Sequence, residues 1–373
     1  MLKKNDILIL CKVVDNYGDI GVVYRLARAI SDLRPALNLT LVVSNLESFH
    51  SLASNIDPEK AVQKFNYKNS VWNIIDWNVA PSDFTPPDLI LECFQCGRPD
   101  WLEDILFAPD YDNEVQILNI DYLTAEEYAD EFHLLKSGTR KTNIKKRFFM
   151  PGFTEKTAGL IINGEVKSSL EEKKINSDDF NIFFFAYDFD CSPLVQGITE
   201  FQKQMKEIHG EFSVNVFLAA GKSLNPFVKA WEISGKPFKI HPLPFLQQEE
   251  FDSFILKMDF LFVRGEDSLA RAALTSIPFI WQAYIQDENY QLVKVNALLE
   301  RMKSQFDEKY FETVCKAWQN YNDCNEKINS QLISKLLLES SKKENSRNFD
   351  EFAKSLYKNG NLASHLLDYI DSL

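Results

Sequence analysis

Two carboxylates flank a glycine-containing segment near the start of the sequence, which reads Asp15-Asn-Tyr-Gly18-Asp19-Ile-Gly21. Gly18 and Gly21 allow a tight turn and the close approach of a ligand or of another backbone. The segment has neither the G-x-G-x-x-G spacing of a dinucleotide site nor the lysine of a phosphate loop. Aspartate is also a favoured helix N-cap and turn residue, so both carboxylates are candidates for a structural or a ligand-contacting role.

A second segment, residues 264–268, combines an arginine, a glycine and two acids in the order Arg-Gly-Glu-Asp-Ser. It falls between a predicted strand and a predicted helix, and the start of a helix favours an anion. Gly265 would bring backbone N–H groups close to that anion. The alternative is a helix cap by Asp267 or Ser268, with Glu266 in a favourable place in the first turn.

A third segment, Trp281-Gln-Ala-Tyr-Ile-Gln286-Asp287-Glu288-Asn289, follows a predicted strand and opens a helix. Its amides and carboxylates are groups that can bind the hydroxyls of a sugar. A plain turn between two elements explains the same pattern, so both interpretations stay open at this point.

Metal-binding and nucleophile motifs are weak in this chain. Cys93 and Cys96 have two residues between them, but neither a second pair nor matching histidines follow, so we expect no zinc site. Residues 110–112 and 188–190 match the Asp-x-Asp pattern of metal-dependent glycosyltransferases. Such matches arise easily by chance in so acidic a chain. The sequence has no G-x-S-x-G nucleophile elbow.

Apolar runs alternate with amphipathic segments in the first half of the chain, and this alternation indicates a mostly parallel sheet with helices on both faces. A helix is predicted over 20–31, with Arg25 and Arg28 off its apolar face. The apolar runs predict strands at 6–14, 39–43, 70–78, 88–94 and 114–120.

A polar and charged stretch at 166–179 is the predicted linker between two lobes. It separates an N-terminal lobe, 1–165, from a C-terminal lobe, 180–349, in which strands and helices alternate again. The C-terminal helical segment, 350–373, is expected to pack back on the first lobe. Two α/β lobes of this size form a cleft, and ligands of open α/β sheets bind beyond the carboxyl ends of the strands.

Length and composition limit the class of protein. A chain of 373 residues is too long for one ordinary core, so two domains are expected. With 41 Lys+Arg against 54 Asp+Glu, the net charge of −13 disfavours nucleic-acid binding, and 29 Phe exclude a disordered chain. No apolar run approaches the roughly 20 residues that span a bilayer, and no signal-peptide core is present, so we expect a cytoplasmic protein.

Several motifs in a fixed order together resemble a known family. From about Ile9 to Asn296, the sequence is identified as a member of the protein-arginine rhamnosyltransferases that modify elongation factor P, the EarP family. The linker and the C-terminal helices match poorly. The motifs are the aspartate and glycine segment with its following Arg-Leu-Ala-Arg, Phe-Met-Pro-Gly-Phe-Thr-Glu-Lys at 149–156, and the segments 264–268 and 286–289.

This resemblance implies a GT-B glycosyltransferase fold, an α/β architecture in which two Rossmann-like lobes face each other across a cleft. It implies an inverting, metal-independent transfer of rhamnose from dTDP-β-L-rhamnose to an arginine side chain of elongation factor P, which activates that translation factor. It implies no cofactor and no nucleic-acid or membrane partner.

The resemblance also assigns residues. The acceptor-side aspartates of the family correspond to Asp15 and Asp19, with Asp19 as the general base, and Glu266 corresponds to a catalytically important acid. The donor-binding positions fall on Tyr17, Gly18, Phe185, Tyr187, Phe245, Gln248, Phe251, Arg264, Gly265, Asp267, Ser268, Gln286, Asp287 and Asn289.

Physical chemistry agrees with these roles. A guanidinium has a pKa above about 12, so it does not lose a proton freely at pH 7. A carboxylate pair can orient it and accept the proton as the C–N bond forms. Backbone N–H groups at a helix start can hold the leaving diphosphate without a metal. The thymine ring is expected to stack on Phe245 or Phe251.

Two other functions stay open. One is a GT-B glycosyltransferase with another donor or acceptor, and the other is a non-catalytic protein that binds a nucleotide sugar on the same fold. The presence of Asp15, Asp19 and Glu266 argues against the non-catalytic protein. Because Asp19 must reach the guanidinium, we expect the acceptor protein to dock on the first lobe.

Overall fold

The chain folds into two compact units, each built around one sheet. The computed structural model describes residues 5–14, 17–163 and 179–373. The first unit holds the described residues up to Ile162 together with Asn359–Leu373, and the second holds the rest.

The predicted linker 166–179 lies outside the described residues, apart from Asp179, which begins a strand. The structure divides the predicted C-terminal segment 350–373 between the units. Residues 350–358 belong to the second unit, whereas Asn359–Leu373 belong to the first.

The first unit contains a sheet of eight strands in the order β3-β4-β2-β1-β5-β6-β8-β7. Its interior strands run parallel, while the edge strands β3 and β7 pair antiparallel with β4 and β8, so the predicted mostly parallel sheet is confirmed. The strands are β1 (Asp6–Cys11), β2 (Asn38–Val43), β3 (Val62–Tyr67), β4 (Ser70–Asp76), β5 (Leu89–Cys93), β6 (Val115–Ile120), β7 (Lys136–Ser137) and β8 (Ile144–Phe149).

Both faces of this sheet are covered, which is why β1 is an unbroken apolar run. Ile7 and Ile9 point into one core and Leu8 and Leu10 into the other. The helices are α1 (Gly18–Leu33), α2 (Leu46–Leu52), α3 (Asp100–Leu106), α4 (Tyr128–Phe132) and the last helix of the chain, Leu362–Ser372.

The prediction that Arg25 and Arg28 avoid the buried face of α1 is wrong, because they are 0% and 2% exposed. The guanidinium carbon of Arg28 lies 5.4 Å and 5.9 Å from the ring centres of Tyr24 and Tyr67, where a cation is attracted to the rings. The last helix packs on α1 from the far end of the sequence. Segments that are distant in sequence thus bury a helix face that the local hydrophobic pattern predicts to be exposed.

The second unit contains five parallel strands in the order β11-β10-β9-β12-β13, so β9 lies at the centre. The strands are β9 (Asp179–Phe184), β10 (Ser213–Leu218), β11 (Lys239–Pro242), β12 (Phe260–Arg264) and β13 (Phe279–Gln282). The helices are α5 (Ser192–His209), α6 (Leu224–Ile233), α7 (Gln248–Ile255), α8 (Gly265–Leu274), α9 (Gln291–Met302), α10 (Glu308–Asn322), α11 (Ser330–Ser340) and α12 (Lys343–Lys358).

The later helices of the second unit pack on its earlier ones: α11 packs on α5, and α12 packs on α8. Within the described part of the chain, none of the helices combines the length and the apolar composition that crossing a bilayer requires.

Candidate active site

Asp19 lies in the first turn of α1, at the carboxyl end of β1, and is 3% exposed. Its Oδ2 accepts a hydrogen bond from the backbone N–H of Val14 at 2.7 Å, and its Oδ1 accepts one from the Tyr122 hydroxyl at 3.3 Å. The start of a helix also stabilises negative charge. The carboxylate is therefore held in a defined orientation.

The alternative interpretation of Asp19 as the N-cap of α1 is wrong. The helix begins at Gly18, with Tyr17 at the N-cap position, and the Asp19 carboxylate turns back towards Val14. Tyr17 and Gly18 are exposed, and their contacts with a donor stay predictions. Asp15 lies outside the described residues, so its role also stays a prediction.

Tyr122 follows β6 and is a residue that motif reasoning does not identify. Its ring stacks on Phe94, which follows β5, with ring centres 4.5 Å apart and planes 21° apart. Its backbone N–H donates to the Asp121 carboxylate at 2.8 Å. Phe94 and Tyr122 come together because they follow neighbouring parallel strands, β5 and β6. In the sequence, Tyr122 is marked only by its position shortly after the predicted strand 114–120.

Cys11 ends β1, Cys93 ends β5, and Cys96 follows shortly after. Burial, with a smaller contribution from the charge of Asp19, raises the pKa of Cys11 well above its usual range. Burial raises the pKa of Cys96 to about 11. Since the thiolate is the reactive and metal-binding form, these thiols are unreactive at neutral pH.

The segment 264–268 forms the turn from β12 into α8. Gly265 has a φ of +69°, in the left-handed region that glycine adopts without strain. A Cβ at this position would lie 3.6 Å from the Tyr187 hydroxyl, an ordinary contact, so conformation rather than space favours glycine. The indole Nε1 of Trp281 donates to the Gly265 carbonyl at 2.9 Å and fixes the turn.

The interpretation of Asp267 or Ser268 as a helix cap is wrong, because α8 begins at Gly265 with Arg264 at the N-cap. Glu266 lies half-buried in the first turn. The first N–H groups of a helix have no acceptor within the helix, and the helix dipole is positive at this end. The turn therefore suits an anionic ligand.

The Arg264 guanidinium lies between two aromatic rings. Its central carbon is 4.5 Å from the ring centre of Phe185 and 4.5 Å from that of Tyr187. Stacking of this kind is favourable for the planar guanidinium and orients it. The structure thus brings three predicted donor residues together, and two of them hold the third.

The third segment joins this group through Tyr187. The backbone N–H of Tyr187 donates to the Gln282 side chain at 2.8 Å, and its ring lies edge-on to Tyr284, with centres 5.5 Å apart. Gln286 and Asp287 are exposed beyond Tyr284 in the chain. The Asn289 amide instead donates to Asp323, at the end of α10, at 2.9 Å.

Phe245, Gln248 and Phe251 lie between β11 and the middle of α7. Phe245 is 45% exposed and Gln248 is 5% exposed. The ring of Phe251 packs edge-on against Phe183, with centres 5.6 Å apart, and Phe183 in turn lies 6.4 Å from Phe185. Of the two rings predicted to stack on a base, that of Phe245 is the more exposed.

A cavity of about 370 Å³ in the second unit adjoins the chain that follows β13. It lies between the segment after β9, the segment after β13 and the end of α10. Its lining includes Phe189, Gln282, Ile285, Tyr321, Asn322 and Asp323.

Two Rossmann-like units, each with its candidate residues at the carboxyl ends of its strands, define a protein of the GT-B class. A solved structure described as the structural basis for EarP-mediated arginine glycosylation of translation elongation factor EF-P matches with a TM-score of 0.60, 18% identity and 99% coverage of both chains. A putative UDP-N-acetylglucosamine 2-epimerase from Listeria monocytogenes matches with a TM-score of 0.56 and 12% identity, over 99% of this chain and 96% of that one.

The chain belongs to the family described as Elongation-Factor P (EF-P) rhamnosyltransferase EarP, whose model matches residues 7–371. The protein-arginine rhamnosyltransferase of Shewanella oneidensis is 31% identical over 325 residues, which cover 78% of this chain and 79% of that one. The enzyme of the same name from Pseudomonas putida is 27% identical over 333 residues, 84% and 86% of the two chains. The chain is a glycosyltransferase, and the resemblance drawn from its motifs is confirmed.

Proposed function

We propose that this glycosyltransferase moves rhamnose from dTDP-β-L-rhamnose to an arginine side chain of elongation factor P, with inversion at the anomeric carbon and without a metal ion. The observation that carries the proposal is the buried, oriented carboxylate of Asp19 in a chain of the EarP family. The names of the relatives and of the similar solved structure support the acceptor.

On the acceptor side, Asp19 is the proposed general base. A guanidinium nitrogen attacks the anomeric carbon, the bond from that carbon to the diphosphate oxygen breaks, and the nitrogen passes its proton to the carboxylate. A buried carboxylate attracts the cationic guanidinium more strongly than an exposed one would. Asp15 is proposed to share this binding, and elongation factor P is proposed to dock on the first unit.

On the donor side, the start of α8 and Arg264 are proposed to hold the diphosphate. Backbone N–H groups and a fixed guanidinium supply positive potential where negative charge develops on the leaving group. This positive potential supports a transfer that needs no metal. Glu266 is proposed as a catalytically important acid at this turn. Asp267 and Ser268 are proposed to make additional contacts with the donor.

The remaining proposed donor contacts follow the two edge strands of the sheet, β11 and β13. Phe245 is proposed to stack on the thymine, with Phe251 and Gln248 behind it. Gln286 and Asp287 are proposed to contact the sugar, since both side chains are exposed at their turn.

An intact-mass assay with purified elongation factor P tests this function. The proposal predicts a gain of one deoxyhexose that requires dTDP-β-L-rhamnose and persists in a metal chelator. Binding of dTDP-rhamnose without transfer would favour the non-catalytic alternative. Transfer from another nucleotide sugar, or to another protein alone, would favour a different glycosyltransferase of the same fold.

A further inference from the structure

The proposed sugar-binding turn, residues 286–289, has a backbone that needs support from its surroundings. Glu288 and Asn289 have φ values of 54° and 59°, in the left-handed region that residues other than glycine adopt rarely. Two such residues in succession store strain, which persists where neighbouring contacts hold the backbone in place. Two buried amide side chains supply this support: Gln291 in α9 contacts the turn itself, and Asn322 in α10 contacts the chain that leads into it.

The first buried amide is Gln291, at the start of α9, which is 1% exposed. Its Oε1 accepts from the backbone N–H of Gln286 at 3.2 Å. Its Nε2 donates to Oδ1 of Asn289 at 2.8 Å and to the backbone carbonyl of Asn322 at 3.0 Å. One side chain thus ties both ends of the turn to the end of α10.

The second buried amide is Asn322, the last residue of α10, which is 5% exposed. Its Oδ1 accepts from the backbone N–H of Ala283 at 2.9 Å, and its Nδ2 donates to the carbonyls of Trp281 and Trp318 at 2.8 Å and 2.9 Å. The Trp281 indole donates to the Gly265 carbonyl. Through Trp281, Asn322 therefore also supports the turn at 264–268, which is proposed to hold the diphosphate.

Asn289 completes this network. Its Nδ2 donates to Asp323 at 2.9 Å, and its Oδ1 also accepts from the backbone N–H of Cys324 at 3.3 Å. The amide of Asn289 therefore faces α10, whereas the side chains of Gln286 and Asp287 are exposed. The end of α10 acts as a fixed platform for the turn.

We infer that Gln291 and Asn322 are positioning residues for donor binding, and that the end of α10 serves to hold the donor-side turns in their binding conformation. This inference rests on the proposed donor site in the second unit. It gives a role to part of the C-terminal helical region, which sequence motifs leave unassigned. Neither residue is required to touch the donor itself.

The test compares Gln291→Met and Asn322→Leu with matched controls in the same unit. Gln202 is 7% exposed and bonds to Val214 and Pro237. Asn348 is 8% exposed and bonds to Asp307 and Asn345. Gln202→Met and Asn348→Leu therefore remove buried amides of the same type away from the proposed donor site.

For each variant, titration calorimetry with dTDP-β-L-rhamnose in the absence of acceptor gives the donor Kd, steady-state kinetics give KM for dTDP-rhamnose and for the acceptor, and thermal unfolding gives Tm. All four substitutions should lower Tm. Only Gln291→Met and Asn322→Leu should raise the Kd and the KM for dTDP-rhamnose, by about tenfold, as expected for losing hydrogen bonds that orient a site. The acceptor KM should not change.

A milder variant keeps the test decisive if the buried substitutions do not fold. Asp323→Ala removes the partner of Asn289 from a half-exposed position, and it should raise the Kd for dTDP-rhamnose about threefold. Donor Kd and KM values equal to those of the controls would overturn the inference while leaving the proposed function standing. A wild-type protein that binds no dTDP-rhamnose would overturn the proposed donor, and the inference with it.

Discussion

The hydroxyl of Tyr122 donates a hydrogen bond to the carboxylate of Asp19 at 3.3 Å, across 103 positions of the sequence. The Tyr122 ring is fixed by stacking on Phe94, so the hydroxyl approaches the carboxylate from a constant direction. The second oxygen of Asp19 is held by the backbone N–H of Val14. Tyr122, which lies outside the recognised motif, thus helps to set the orientation of the proposed base.

Tyr122→Phe should lower kcat for transfer by up to about tenfold, because it removes one hydrogen bond to the base and keeps the stacked ring. The KM for dTDP-rhamnose should not change. Tyr67→Phe is the matched control, since it removes a hydroxyl bonded to Asp32 in the same unit. Equal kcat values for the two variants would show that Tyr122 does not orient the base.

Phe185→Leu should raise the KM for dTDP-rhamnose by about tenfold, because Arg264 loses one of the two rings between which it lies. Steady-state kinetics with varied donor measures this effect. The control is Phe180→Leu at the start of β9, the strand that Phe185 directly follows; the Phe180 ring packs on Phe201 instead. A donor KM that responds equally to both substitutions would argue against the aromatic support of Arg264.

Gly265→Ala should destabilise the protein by about 1 kcal/mol, the cost of placing an alanine in the left-handed region. It should also weaken dTDP binding, because the backbone at 264–268, which is proposed to hold the diphosphate, would shift to relieve the strain. Gly210 has a φ of +80° with open space around it, so Gly210→Ala should also destabilise the protein but should leave binding unchanged. Calorimetric Kd values that are alike for the two variants would contradict the role of this turn.

Acidification should destabilise the first unit through His133. Burial, with a contribution from His365, lowers the pKa of His133 to about 4, and its Nδ1 accepts from the backbone N–H of Met150. A lowered folded-state pKa stabilises the protein above the ordinary histidine value near 6.5, and this stability is lost as pH falls from there towards 4. The free energy of unfolding, measured by denaturant titration at pH 7 and pH 5, checks the loss.

His133→Asn is the control for that experiment, because an amide oxygen can accept the Met150 bond without titrating. Its unfolding free energy should fall less between pH 7 and pH 5 than that of the wild type. The same fall in both proteins would assign the acid sensitivity to other groups.

Sequence patterns predicted the architecture well where burial is uniform. The apolar run of β1 and the glycine turn at the start of α8 follow from local chemistry. The structure places the first in a parallel strand and the second at the carboxyl end of one. The capping interpretation of Asp19 failed because its carboxylate accepts from Val14, a residue before the helix. Local propensity does not report such a contact.

The supporting residues were beyond reach from the sequence for a different reason. Tyr122 meets Asp19, and Asn322 meets Trp281, only after distant segments pack together. Neither a tyrosine after a strand nor an asparagine at a helix end is unusual in itself. Their roles appear from hydrogen bonds between elements, which depend on the complete fold.

The central claim, that Asp19 is the base of a rhamnosyl transfer to elongation factor P, is tested most directly by intact mass. Purified wild-type protein, dTDP-β-L-rhamnose and elongation factor P should give a product heavier by one deoxyhexose. Folded Asp19→Asn, which keeps the size of the side chain, should transfer at least about a thousandfold more slowly. Full transfer by that variant would contradict the account.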